Sequence, residues 1–220
     1  MVDETLKTLL AMPGHFPSDF FSFSFNAEFV EKESDFGAKK RFALPDTSPF
    51  LAERGFASFF LGWNYNGLFF ASEVDKPYEK SLLPSYQSGD ALELFIDTRD
   101  IKSAGFVSRF CHHLLILPQP VDGVQSKELT RFRFEEDSHP LPDPNFLKVD
   151  CDLHKKSYLL KVFIPAEILH GFDPKSFNRL GFTLCLHQVA GDPQHFALSE
   201  QGSSLEQHPA LWPSFHLKQS

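Results

Sequence analysis

Hydrophobic and polar residues alternate with a period of two along much of the chain. The clearest example is the segment 92–97, in which Leu or Ile at even positions alternates with Glu93, Phe95 and Asp97. A two-residue period places alternate side chains on opposite faces of a β-strand. This segment is therefore predicted to be a strand with one aliphatic face and one face that carries both carboxylates.

The same alternation recurs often enough to predict the fold class. Strands are predicted at 21–25, 56–61, 68–74, 92–97, 110–117, 129–134, 147–153, 159–164 and 180–187. Short helices are predicted at 3–11 and 165–170, a hairpin turn at 64–67, and long loops at 76–90, 119–127 and 135–145. Strands and helices do not alternate, so crossover helices for parallel pairing are missing. The pattern predicts an all-β protein: an antiparallel β-sandwich with one or two short helices.

Length and composition agree with a single sandwich. The chain has 220 residues, of which 26 are Phe, and such an excess of Phe favours a thick β core. We expect residues 1–14 to form an N-terminal helical extension and residues 15–220 to form one domain. The acidic, Pro-rich segment 135–145 is interpreted as a loop within that domain, because the strands on either side are too few to close separate cores.

Charge and composition also restrict the partners and the compartment. The formal net charge of −8 disfavours binding to nucleic acid or to an anionic membrane surface. The start of the chain is acidic and has no long apolar run, so neither a secretory signal nor a membrane span is predicted. The three cysteines are far apart in the sequence and are expected to be reduced. A cytoplasmic location is expected, with secretion that needs no signal left open.

The carboxylates of Glu93 and Asp97 are the first candidate site. They lie four residues apart on one face of a strand, roughly 13 Å at the rise of a β-strand. This separation is too large for the paired carboxylates of a glycoside hydrolase. Two interpretations stay open: a solvated acidic face with a local ion pair to Arg99, or a site for a cation or for sugar hydroxyls at this strand end.

A second group of candidates lies at the start of the next strand. Arg109 needs a carboxylate partner among apolar neighbours, and Glu93 or Asp97 is predicted to supply it across the sheet. Such a pair is more often structural than functional. His112 and His113 are adjacent on one strand, so they point to opposite faces and do not chelate one metal together.

Motifs for catalysis and for metal binding are missing. The sequence has no Gly-x-Ser-x-Gly elbow, phosphate-binding Gly loop, dinucleotide fingerprint, His-Glu-x-x-His or Cys-x-x-Cys. His187 and His195 flank a short loop and would meet in a hairpin, but no third ligand is in view. No catalytic residue, metal ligand or cofactor is therefore assigned from the residues, and an enzyme ranks behind a binding protein.

Three aromatic residues are candidates for contact with a sugar. Trp63 and Trp212 each lie next to a strand, where a large aromatic residue usually packs on the core, although an indole also suits the apolar face of a sugar ring. Tyr65 lies at the tip of a predicted hairpin and is the aromatic residue that we expect to be exposed.

Three blocks in a fixed order give the chain a family resemblance. They are Gly62–Val74; Gly89–Asp100 with Ser108–Pro118; and Tyr158–Asp173 with Leu180–Thr183 and Leu211–Leu217. Together they resemble carbohydrate-binding-module family 9-like (DOMON-like) domains. The Asp-Thr-Arg-Asp and Arg-Phe-Cys-His segments are similar to those of a signal-free bacterial branch of that group, whose role is unknown.

The resemblance implies a β-sandwich and a non-catalytic binding domain. Well-studied members of the family hold the ends of sugar chains between aromatic side chains and contain structural calcium. A carbohydrate or glycan-like ligand is therefore expected, and a protein-interaction scaffold that has lost the sugar site is the alternative. The candidate ligand-binding residues are Tyr65, Trp63, Glu93, Asp97, Arg99, Arg109, His112 and Trp212.

Overall fold

The computed structural model describes residues 23–199 and 204–219. Within these ranges the chain forms eleven strands, one short α-helix and six 3₁₀ turns. The strands are β1 (Ser24–Phe29), β2 (Ala57–Asn64), β3 (Gly67–Val74), β4 (Ala91–Asp97), β5 (Cys111–Val121), β6 (Val124–Glu128), β7 (Lys148–Leu153), β8 (Tyr158–Pro165), β9 (Arg179–His187), β10 (Gln194–Phe196) and β11 (Ser214–Lys218). The helix α1 is Ser48–Leu51, and the 3₁₀ turns are Glu33–Asp35, Lys40–Phe42, Tyr86–Ser88, Glu135–Asp137, Leu205–Gln207 and Pro209–Leu211. The helix predicted at 3–11 lies outside the described residues.

The strands form a β-sandwich, as the alternation predicts. Their order is β6-β5-β4-β9-β11-β1-β2-β3-β8-β7, with β10 paired to β9. This sheet folds over so that Leu92 and Leu94 of β4 and Leu114 of β5 share one core with Phe70 of β3 and Leu160 of β8. The core thus combines residues from both sides of the loop 135–145. None of the helical segments in the described ranges is long and apolar enough to cross a membrane.

The sandwich is not purely antiparallel. Strand β1 pairs in parallel with both β11 and β2. The connection 30–56, which contains two 3₁₀ turns and the single-turn helix α1, is long enough to carry the chain back to the start of β2 without a full crossover helix. Strand β11 comes from the far end of the chain, so no short connection constrains its direction.

The predicted loop at 119–127 is instead a hairpin between β5 and β6. Its turn residues Asp122 and Gly123 both have left-handed backbone angles, with φ of 50° and 80°. An Asp-Gly pair of this kind is a favoured two-residue hairpin turn. Pro118 and Pro120 lie beyond the stretch of β5 that pairs with β4, where a missing N–H is tolerated.

Two other local predictions are wrong. The segment 129–134 is irregular, because the hydroxyl group of Thr130 accepts the N–H of His113 at 2.8 Å and replaces the backbone partner that would continue β6. The segment 165–170 makes tight turns in place of a helix. Its first residue, Pro165, still belongs to β8, and Leu169 is held in the core.

Candidate functional site

A buried polar cluster lies on the outer face of the sheet, away from the main core. In the register of β4 with β5 and β9, Phe95 is paired with His113, and Ala91 is paired with His187. This places both imidazoles diagonally across from Glu93 on the same face. Tyr86, from the loop before β4, covers the same carboxylate. We call Tyr86, Glu93, His113 and His187 the outer cluster.

Both carboxylate oxygens of Glu93 are hydrogen-bonded within this cluster. His187 Nε2 donates to Oε1 at 2.6 Å, and His113 Nε2 donates to Oε2 at 2.5 Å. The Tyr86 hydroxyl group donates to Oε2 at 3.1 Å. Phe95 stacks on the His113 ring with centroids 4.4 Å apart, which fixes the orientation of the imidazole.

The electrostatics follow from these contacts. Burial raises the pKa of Glu93, but hydrogen bonds from His113 and His187 outweigh it and lower the pKa to about 2. Burial and the neighbouring carboxylate raise the pKa of Tyr86, so its phenol stays protonated as a donor. Glu93 is thus a fixed anion that orients its neighbours, and it does not have the raised pKa that a general acid needs.

An open cleft of about 500 Å³ lies beside the outer cluster. Its apolar lining includes Tyr86, Leu115 and Leu129, and its charged lining includes Lys127, Arg131 and Glu206. His113 connects the two regions, because its ring lines the cleft and also binds Glu93. We call this depression the Tyr86 cleft. It combines a half-buried aromatic ring with charged hydrogen-bonding groups, which is the composition of a small polar-ligand site.

A larger cleft of about 960 Å³ is lined mainly by charged and polar side chains, with Phe56 as its aromatic residue. His195 lines it and contacts Glu53, with Nδ1 2.7 Å from Oε1. Strands β9 and β10 form the predicted hairpin, but within it the imidazoles of His187 and His195 bind different carboxylates. His187 is held by Glu93.

The acidic face predicted for β4 is buried, so its interpretation as a solvated face is wrong. Glu93 and Asp97 are 2% and 1% exposed. Asp97 accepts the backbone N–H of Arg99 at 2.9 Å and that of Ile101 at 2.8 Å, and burial raises its pKa. These bonds fix the turn after β4, and Asp97 does not line the Tyr86 cleft.

Thr98 and Arg99, which follow Asp97 in that turn, also form hydrogen bonds within the protein. The Thr98 hydroxyl group donates to the His170 carbonyl at 2.6 Å. The Arg99 guanidinium donates to the Gly171 carbonyl and lies 3.7 Å from the centre of the Phe177 ring. The Asp-Thr-Arg-Asp segment therefore joins β4 to the loop after β8.

The predicted pairing of Arg109 with Glu93 or Asp97 is wrong. Arg109 Nε lies 2.9 Å from Asp137 Oδ1, and its guanidinium donates to the Glu136 carbonyl at 2.7 Å. The reason is its position in the chain. Arg109 lies before the first residue of β5, beyond the ladder that joins β5 to β4.

The three aromatic candidates differ in their exposure to solvent. Trp63 and Trp212 are 0% and 1% exposed, and their indole N–H groups donate to backbone carbonyls. They pack in the core, so they are not available to a ligand. Tyr65 is 47% exposed at the β2–β3 turn, as predicted, but it lies outside the clefts described above.

His112 lies on the face opposite His113, as predicted, and it is fully buried against Glu128. Two groups of three side chains in the described ranges have metal-ligand atoms within 4.8 Å of one another: Glu93, Cys185 and His187; and His112, Glu128 and His139. Calcium prefers oxygen ligands. Because both groups contain histidine, neither fits the structural calcium that the family resemblance implies.

Comparison with solved structures identifies the fold. A carbohydrate-binding module of family 9 from Caldicellulosiruptor kristjanssonii, in complex with cellotriose, matches with a TM-score of 0.62 and 15% identity over 90% of this chain and 94% of that one. A family 9 module from the same organism, in complex with glucose, matches with a TM-score of 0.56 and 17% identity over 74% of this chain and 77% of that one. A Bacteroides uniformis protein matches with a TM-score of 0.56 and 9% identity over 89% of this chain and 99% of that one.

No family model matches the sequence, and no curated protein does. The likeness shows a β-sandwich fold like that of family 9 modules.

Proposed function

We propose that this protein is a non-catalytic carbohydrate-binding protein and that the sugar occupies the Tyr86 cleft. The observation that carries the proposal is the composition of the cleft, in which the Tyr86 ring lies beside His113, Lys127, Arg131 and Glu206. A sugar ring presents an apolar C–H face and a rim of hydroxyl groups. Tyr86 suits the first, and the charged side chains suit the second. The two family 9 modules were solved with glucose and cellotriose, which supports the ligand class at the level of the fold.

The outer cluster keeps the binding side chains in place. Glu93 is buried, so it acts through His113 and Tyr86 and is a positioning residue. With both carboxylate oxygens occupied, it leaves the two rings little rotational freedom. A site that is fixed before the ligand arrives loses less conformational entropy on binding.

A binding role fits the carboxylates better than glycoside hydrolysis does. Hydrolysis needs one carboxylic acid with a raised pKa and a second carboxylate at a set distance. Glu93 has a lowered pKa of about 2, and both of its oxygens are occupied. Asp97 is engaged by backbone N–H groups at the other end of β4.

The test is a glycan array followed by calorimetry with the sugars that bind. Tyr86→Ala and His113→Ala are each expected to weaken binding at least about tenfold, equivalent to about 1.4 kcal/mol. Tyr65→Ala is the matched control, because it removes an exposed tyrosine outside the cleft, and it should bind like the wild type. Equal losses in the Tyr65 and Tyr86 variants would reject this location, and no binding at millimolar sugar would reject the function.

The alternative is a protein-interaction domain. One feature favours it: Phe106 and Phe134 are 36% and 42% exposed, with ring centroids 5.6 Å apart. An exposed apolar pair of this kind suits a protein partner. A negative glycan screen, together with a partner whose binding is lost on Phe134→Ser, would favour this function.

A further inference from the structure

A second histidine–carboxylate cluster lies on the inner face of the same sheet. His112 is paired with Ile96, and Glu128 is paired with Leu114, and both aliphatic partners belong to the main core. His139 reaches the same point from the loop that follows the Glu135–Asp137 turn. With Thr130, which also contacts the carboxylate, these residues form the inner cluster.

The contacts of the inner cluster converge on one atom. His112 Nδ1 lies 3.0 Å from Glu128 Oε1, His139 Nε2 lies 2.9 Å from it, and the Thr130 hydroxyl group lies 2.7 Å from it. Glu128 Oε2 and His112 Nε2 are buried and have no hydrogen-bond partner among the described residues. Burial without a partner costs free energy for both atoms. Hydrogen bonding among the described residues therefore leaves part of this buried polar cluster unsatisfied.

The orientation of His139 is typical of a metal ligand. Its Nδ1 donates to the Arg109 carbonyl at 2.7 Å, which leaves Nε2 as the nitrogen that faces Glu128. Metal-bound histidines usually donate their other ring N–H to a carbonyl or carboxylate in this way. A carbonyl only accepts, so a neutral His139 presents a lone pair to the carboxylate at Nε2. A cation between His139 Nε2 and Glu128 Oε1 would remove the repulsion between the lone pair and the carboxylate.

We propose that His112, Glu128 and His139 bind a divalent transition-metal ion, with Zn²⁺ as the best match. Two imidazole nitrogens and one carboxylate oxygen form a common zinc ligand set, and they leave a fourth position for water or another small ligand. Tetrahedral zinc with bonds of about 2.0–2.1 Å separates its ligand atoms by roughly 3.3 Å. The distances from the two imidazole nitrogens to Glu128 Oε1, 3.0 and 2.9 Å, need a small expansion to reach that value, and all three ligand atoms lie within 4.8 Å of one another.

The position of the cluster also allows metal to reach it. His139 is covered by the exposed ring of His170, which is stacked on it with centroids 5.7 Å apart. The cluster therefore lies next to the surface of the protein.

The test uses full-length protein stripped with a chelator and titrated with Zn²⁺, with Co²⁺ as a spectroscopic probe. We expect one ion per chain and the intense visible absorption of tetrahedral Co²⁺. Glu128→Gln and His139→Gln should each weaken binding by about 100-fold or more, beyond the 10- to 100-fold typical of outer-shell partners. His187→Gln, in the outer cluster, is the matched control and should bind like the wild type.

X-ray absorption of the zinc-loaded wild type keeps the proposal testable if the inner variants do not fold. We expect two imidazoles and oxygen ligands, with no sulfur. Sulfur in the shell would assign the ion to the group that contains Cys185, and the proposal would fail. It would also fail if no ion bound at micromolar concentration, or if folded inner variants bound as well as the wild type.

Discussion

The outer and inner clusters contain the same chemical groups on opposite faces of one sheet, yet they differ in how the carboxylate is used. In the outer cluster each oxygen of Glu93 has its own imidazole partner, and Tyr86 adds a third bond. In the inner cluster all three contacts fall on Oε1 of Glu128, and Oε2 has no partner among the described residues. The outer arrangement is complete without a ligand and suits a rigid wall for a binding cleft. In the inner arrangement a neutral His139 places a nitrogen lone pair against the carboxylate, which is why we assign a cation to it.

The largest expected effect is on the stability of the outer cluster. Glu93→Ala leaves two buried imidazoles and the Tyr86 hydroxyl group without their acceptor, so it should lower the free energy of unfolding by about 4 kcal/mol. Urea denaturation measures this loss. Glu73→Ala is the control, because Glu73 is exposed on β3 and should change stability by less than about 0.5 kcal/mol. A loss below about 1 kcal/mol for Glu93→Ala would mean that the outer cluster is not a tightly coupled unit.

Acid should destabilise the protein through the same group. The pKa of folded Glu93 is about 2, below its ordinary value, so its contribution is complete above about pH 4.5 and is lost as the pH falls toward 2. The loss attributable to this group should be roughly 3 kcal/mol. Denaturation curves between pH 6 and pH 2.5 should be less steeply acid-dependent in Glu93→Gln than in the wild type. An identical pH dependence in the two proteins would contradict the assignment of the low pKa to Glu93.

Thr130 connects the two clusters, and its removal tests whether they are independent. Its hydroxyl group donates to Glu128 at 2.7 Å and accepts the backbone N–H of His113 at 2.8 Å. Thr130→Val should cost about 1–2 kcal/mol, because it leaves that N–H buried without a partner. Thr130→Ser keeps the hydroxyl group and is the control. Imidazole NMR signals that shift in only one cluster of the Val variant would show that the clusters are not coupled through this residue.

The smallest expected effect is at Arg109. The Arg109 and Asp137 side chains are 43% and 30% exposed, so water screens the ion pair. Arg109→Ala should therefore lower the free energy of unfolding by less than about 1 kcal/mol, and high salt should reduce the difference further. A loss of about 3 kcal/mol, as for a desolvated pair, would contradict this. It would show that the Arg109 side chain also stabilises the inner cluster, in addition to the hydrogen bond that its backbone carbonyl accepts from His139.

Much of the fold could be predicted from the sequence, because strand periodicity is a local signal. The alternation in β4 and β9 identifies both strands and the side that faces the core. Local patterns failed where a distant contact decides the structure. The hydroxyl group of Thr130 ends β6 by binding His113, and no spacing within 129–134 reveals that bond.

The candidate site was harder to predict, because it depends on strand register. The alternation in β4 identifies Glu93 as a candidate, but its partners come from β5, β9 and the loop 76–90. The long connection between β4 and β5 does not fix which residues face each other. Tyr86 lies in a segment that gave only a loop prediction. His139 lies in the acidic segment 135–145, which is predicted only as a loop. Nothing in its sequence pattern indicates the contact with Glu128. The one useful signal in the sequence is that His113 lies on a strand that follows the acidic strand β4, with its side chain on the face opposite His112.

A sugar titration monitored by amide NMR signals tests the central assignment most directly, since it locates the ligand without any substitution. The sugar would be the best binder from the glycan array. If carbohydrate occupies the Tyr86 cleft, the largest shifts should fall on Tyr86, His113, Lys127 and Arg131, with little change at Tyr65. Saturable shifts that cluster around Tyr65 or the 960 Å³ cleft, and leave Tyr86 and His113 unchanged, would contradict it.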